Sequence, residues 1–165
     1  MNRLYIFLVL LISTQCMGQK DFDEKLNSIL DKTVPFIYSN ELNELTEKES
    51  QILILDTRSK EEYRVSHIPN AIFVDYDNFS GEAVQGYDKE APVVVYCSVG
   101  YRSEKIGEKL EELGFSNVRN LYGGIFDWKN KGNEVVNDEG METDSVHTYN
   151  ENWSKWLKEG VKVYE

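Results

Sequence analysis

The stretch Pro92–Leu113, PVVVYCSVGYRSEKIGEKLEEL, joins two opposite local patterns through a short loop. Val93–Tyr96 is a β-branched run, the pattern of a strand buried on both faces of a parallel sheet. Ile106, Leu110 and Leu113 then recur at helical spacing among charges, and Gly114 follows as a stop. Between them lies Cys97-Ser98-Val99-Gly100-Tyr101-Arg102. A cysteine that ends a buried strand and faces a helix N-terminus meets loop N–H groups and the positive end of the helix dipole. Arg102 adds a permanent positive charge. Together these should draw the thiol below its free pKa of about 8.5, into the range of roughly 3.5–7.5 of activated cysteines. The plain alternative is a buried cysteine in a tight turn.

Composition narrows the chemistry. A chain of 165 residues is one domain's worth, with no visible internal repeat. Its formal charge of −11 argues against nucleic acid or an anionic membrane surface, which are held by clustered Lys and Arg. Long-range attraction of anionic substrates is disfavoured too, so any anion preference must arise in the loop. Two histidines and two cysteines far apart give no zinc-ligand spacing, and no metal or cofactor is expected.

Residues 1–18 read as a secretory signal. Arg3 supplies a basic start, Leu4 to Ile12 an unbroken apolar run, and Cys16-Met17-Gly18 the cleavage region. The apolar run is short of the ~20 residues that span a bilayer. Lipoprotein anchoring through Cys16 is the rival, disfavoured by Gln15 where a small residue is expected. The expectation is a periplasmic or secreted protein with no stable membrane insertion after cleavage. Cys97 would then be its lone, reactive thiol.

Residues 19–32 place Phe22, Leu26, Ile29 and Leu30 on one face of a lead-in helix. Val34–Tyr38 reads as an edge strand because of Pro35, and Ser39-Asn40 as the cap of a helix to about Glu47 with Leu42 and Leu45 inward. Ile52–Leu55 is a second buried strand, and Asp56-Thr57-Arg58 leaves its carboxyl end. That is where sites of open parallel sheets lie, so the tripeptide should share an edge with Cys97. Ser59 and Glu62 form a capping-box pattern. Ala71–Val74 is a further strand, and residues 75–90 are a polar connection. Val118–Leu121 is the last strand, followed by Gly123-Gly124 and the core candidates Ile125, Phe126 and Trp128. Residues 137–145 read as an acidic linker. Asn150 then caps a helix with Trp153, Trp156 and Leu157 on one face, which either docks on the domain or holds a partner protein.

The Cys-x-x-Gly-x-Arg loop resembles that of the rhodanese-like sulfurtransferases. Asp56 and Arg58 resemble that family's Asp-x-Arg signature, and His67-Ile68-Pro69-Asn70-Ala71 its Gly-His-Ile-Pro-Gly-Ala segment, with Ser66 and Asn70 replacing glycines. Gly123, Gly124 and Trp128 stand in register with its Gly-Gly-x-x-x-Trp. The resemblance covers residues 33–136 and leaves 137–165 as an appended linker and aromatic helix. It implies a three-layer α/β fold with a central, mostly parallel sheet of about five strands and helices on both faces. It also implies a persulfide on Cys97, held by a loop of Ser98, Val99, Gly100, Tyr101, Arg102 and Ser103. Asp56, Arg58 and His67 would be supporting residues, His67 through packing and hydrogen bonding. Its partners would be a small sulfur donor and a thiol acceptor. Cysteine phosphatases place five residues between Cys and Arg, whereas four stand here, which disfavours a phosphatase or arsenate-reductase chemistry. A non-enzymatic binding module would have no need of Cys97 and Arg102. Members that use thiosulfate well often carry further basic residues in the loop. Here Ser98, Val99 and Tyr101 take those places and Arg102 is the one loop cation, so modest use of thiosulfate and better use of persulfides or polysulfides are expected.

Overall fold

The computed structural model describes residues 18–48 and 51–164, so most of the expected secretory signal, Cys16 included, lies outside the described residues. Helix α1 spans residues 18–29 and buries Phe22 and Leu26. No helix among the described residues is long and apolar enough to cross a membrane.

From residue 31 onward the chain alternates strand and helix. The elements are β1 (Phe36–Ile37), α2 (Ser39–Lys48), β2 (Leu53–Asp56), α3 (Lys60–Val65), β3 (Ile72–Phe73), β4 (Val93–Tyr96), α4 (Tyr101–Glu112), β5 (Val118–Leu121) and α5 (Gly124–Asn130). The five strands form one sheet in the order β1-β5-β4-β2-β3, every pair parallel. This is the α/β architecture expected from the sequence. Every residue of β2 and β4 is buried, so both faces of the sheet are covered. Leu53, Leu55, Val93, Val95 and Val118 form one core with Ile106 and Leu110 of α4. Ile54, Val94 and Tyr96 alternate to the opposite face and are equally buried. Pro35 precedes β1, which is an edge strand.

Several local expectations are corrected. Ser39 is the first residue of α2, not its cap. The Glu41 carboxylate accepts the Tyr38 N–H, while Ser39 donates its hydroxyl to Asp127 of α5. Leu113 ends α4 exposed, because Gly114 turns the chain at φ +91° before the next inward position. The polar connection 75–90 contains a 3-10 turn, Gly81–Val84, that inserts Val84 into the core. Asn70 occupies the left-handed region at φ +64°, which is why it replaces a glycine.

The largest correction concerns residues 137–145, which are not a linker. β6 (Val135–Val136) turns back through Gly140 into β7 (Glu142–Thr143) as an antiparallel pair. β8 (Ser145–His147) then pairs in parallel with β9 (Val161–Val163). Between them, the aromatic helix shrinks to one turn, α6 (Glu151–Ser154), capped by the Asn150 side chain as expected. Asn130 of α5 ties the segment down. Its amide donates to the Trp156 carbonyl, and its Oδ1 accepts from the Lys158 and Glu159 N–H groups. Leu157 is fully buried.

Candidate functional site: a cysteine at the carboxyl edge of the sheet

Cys97 follows β4 directly, and its neighbour strand β2 runs in register with Asp56 beside Tyr96. The Thr57 N–H donates to the Tyr96 carbonyl at 2.9 Å, which draws Asp56-Thr57-Arg58 alongside the cysteine loop. The expected shared edge is therefore formed.

The loop is held from outside by its own carbonyls. Gly123 and Gly124 adopt φ +72° and +56°, and the N-terminus of α5 is thereby pressed against the loop. The Ile125 N–H donates to the Cys97 carbonyl at 2.9 Å and the Phe126 N–H to the Ser98 carbonyl at 3.2 Å. A Cβ on Gly124 would stand 2.3 Å from the Cys97 oxygen, so no other residue fits this approach. Asn120 of β5 braces the other end. Its amide donates to the Gly100 carbonyl, and its Oδ1 accepts the Ser103 hydroxyl.

With the carbonyls engaged outward, N–H groups face the sulfur. Gly100, at φ +111°, is the N-cap residue of α4, and no side chain caps the helix from that position. Cys97 Sγ takes that place, accepting the Gly100 N–H at 3.1 Å. Burial alone would push the thiol up. The Arg102 charge and the backbone N–H groups of Ser103, Val99 and Gly100 outweigh it and hold the thiol below its ordinary value. Cys97 is the only cysteine among the described residues, and it is unpaired. Tyr101 is exposed, whereas Ser98, Val99 and Ser103 are buried.

Arg102 does not stand alone. Its Nη1 donates to Glu62 Oε2 at 2.7 Å and its Nη2 to Oε1 at 2.8 Å, a bidentate pair. The Ser98 hydroxyl donates to Glu62 Oε1 and accepts from Arg102 Nη2, closing the triangle. Burial would raise the Glu62 carboxyl. The hydrogen bonds and charge of Arg102, with the Arg58 charge and the Ser59 N–H, instead hold it at about 2. Glu62 also completes the capping box of α3. Sequence reading found that second role and missed the first.

Asp56 and Arg58 form a wholly buried pair, Nη2 to Oδ2 at 2.7 Å, and Nη2 also donates to the Ser66 carbonyl. They brace the turn after β2. His67 is not drawn to the thiol through any hydrogen bond. Its ring stacks on Tyr63 at 3.9 Å, Nδ1 lies 3.0 Å from the Tyr63 carbonyl, and its backbone pairs with Val136. Tyr149 is a neighbour that sequence reading did not single out. Its ring lies 5.6 Å from the Arg102 guanidinium carbon. No cluster of metal-ligating side chains occurs among the described residues.

A parallel α/β sheet that carries a six-residue Cys-to-Arg loop at its carboxyl edge defines a cysteine-loop protein. The particular family follows from comparison: the rhodanese-like domain matches residues 39–131, more than half of the chain, and the protein belongs to that family. It is 38% identical over 82 residues to thiosulfate sulfurtransferase GlpE of Coxiella burnetii, covering 50% of this chain and 76% of that protein. It is 36% identical over 101 residues to a tRNA uridine(34) hydroxylase of Hamiltonella defensa, covering 58% of this chain but 28% of that one. Among solved structures, the BH2092 protein of Bacillus halodurans superposes with a TM-score of 0.59 at 26% identity, over 72% of this chain and 88% of that chain. A rhodanese-like domain protein of Staphylococcus aureus gives 0.51 at 29% identity, over 57% and 90%.

Proposed function

We infer that the protein is a sulfurtransferase that carries sulfane sulfur as a persulfide on Cys97. The observation that carries this reading is the ring of N–H groups around an acidified thiol, closed by Arg102 after four intervening residues. The likeness to a thiosulfate sulfurtransferase over three quarters of its length supports it. In the first step the Cys97 thiolate attacks the outer sulfur of a donor. A bond forms from Sγ to that sulfur, the donor's S–S bond breaks, and the leaving group (sulfite from thiosulfate, a thiolate from a persulfide) departs with the electron pair. A thiolate or cyanide then attacks the outer sulfur, and the Cys97 thiolate leaves with the electron pair of the broken bond. The N–H ring and Arg102 favour the anionic form of the persulfide.

Persulfides or polysulfides suit this site better than thiosulfate. The single loop cation already gives two hydrogen bonds to Glu62, and the chain is acidic as a whole. The lone-thiol pattern and the basic-then-apolar leader in residues 1–18 support action in the periplasm or outside the cell. Thiocyanate formation from cyanide with each donor tests the assignment. Turnover should be higher with polysulfide than with thiosulfate and absent in Cys97→Ser; turnover that survives the substitution removes Cys97 from the reaction.

A further inference from the structure

We propose that Tyr149 is a specificity-determining residue that screens Arg102 from oxyanionic donors such as thiosulfate. The proposal rests on the sulfurtransferase reading above and deepens it. Residues 145–147 run beside α3, the helix that carries Glu62, so the tail passes next to the Arg102–Glu62 pair. Tyr149 is then fixed from both sides. Thr148 before it is fully buried, with its N–H on the Val163 carbonyl at 2.7 Å, and Asn150 after it caps α6. Tyr149 itself takes φ +64°, a conformation unfavourable for a bulky side chain, and its N–H donates to His147 Nδ1. The residue is 57% exposed, yet its ring lies 5.6 Å from the Arg102 guanidinium carbon. The ring contact that the structure gives this strained, largely exposed tyrosine is with the loop cation.

The guanidinium is consequently engaged on two sides. Glu62 and Ser98 occupy its terminal nitrogens, and the Tyr149 ring lies against it as a cation–π partner. Its side chain keeps 20% exposure. Thiosulfate, whose charge lies largely on its sulfonate-type oxygens, needs that cation for recognition and must displace the ring to reach it. A persulfide or polysulfide, with its charge on sulfur near the N–H ring, has less need of it.

Tyr149→Gly and Tyr149→Phe in the full chain test this. Glycine accepts φ +64° without strain, so folding is not endangered, while phenylalanine keeps the ring face. The ratio of kcat/KM for thiosulfate to that for polysulfide should rise about threefold or more in Tyr149→Gly, through a lower thiosulfate KM, and stay at the wild-type value in Tyr149→Phe. An unchanged ratio in Tyr149→Gly overturns the proposal while leaving the sulfurtransferase reading intact. If the wild type turns over neither donor, both the reading and the proposal fall.

Discussion

Arg102 and Glu62 lie 40 residues apart in the chain and meet through two hydrogen bonds of 2.7 and 2.8 Å beside the cysteine loop. The Glu62 side chain is 2% exposed and that of Arg102 20%, so the pair is largely withdrawn from water. Glu62 therefore aims the guanidinium and also offsets part of its charge. The thiol remains acidified because backbone N–H groups share that task with Arg102.

Glu62→Gln keeps the size of the side chain and its acceptor for the capping box but leaves Arg102 without its counter-charge. Removing one partner of a buried pair costs about 3 kcal/mol. Urea denaturation should show a loss of that order.

The same carboxylate makes stability acid-sensitive. Its native pKa of about 2 lies below the ordinary 4.5, so the folded state binds the proton less readily than the unfolded chain. The resulting stabilisation is present above 4.5 and disappears as the pH falls through about 2. Denaturation midpoints measured across that window should fall in the wild type and fall less steeply in Glu62→Gln.

Arg102→Met removes the charge that lowers the Cys97 pKa and leaves the Glu62 carboxylate nearby, and both changes disfavour the thiolate. The midpoint of alkylation rate against pH should move up. Wild-type alkylation should be half-maximal below the ordinary pKa of a free thiol.

Two glycines at positive φ separate strain from packing. Gly132 stands at φ +80° with open space around its missing Cβ, so Gly132→Ala should cost about 1 kcal/mol, the left-handed penalty alone. Gly124 lies against the Cys97 and Ser98 backbone, and Gly124→Ala should cost about 2 kcal/mol beyond that. Gly124→Ala should also slow Cys97 alkylation, since the loop must shift; equal effects at both positions would contradict the bracing role.

The strand, loop and helix around Cys97 were legible because they are contiguous, and each has a clear period or stop. Asp56 and Arg58 were legible through the rule that sites lie at carboxyl edges of parallel strands. Glu62 was not, because the capping box already explained it and its second partner is remote in sequence. The tail was misread because β7, β8 and β9 have only two or three residues each, too few to show alternation. Tyr149 carries no pattern at all; only the anchoring of Thr148 and Asn150 gives it a place.

Intact mass of the full chain after incubation with a polysulfide tests the central claim most directly. The account predicts a gain of one sulfur atom, reversed by excess thiol and absent in Cys97→Ser. A wild-type protein that gains no sulfur, or a Cys97→Ser variant that gains as much, would contradict it.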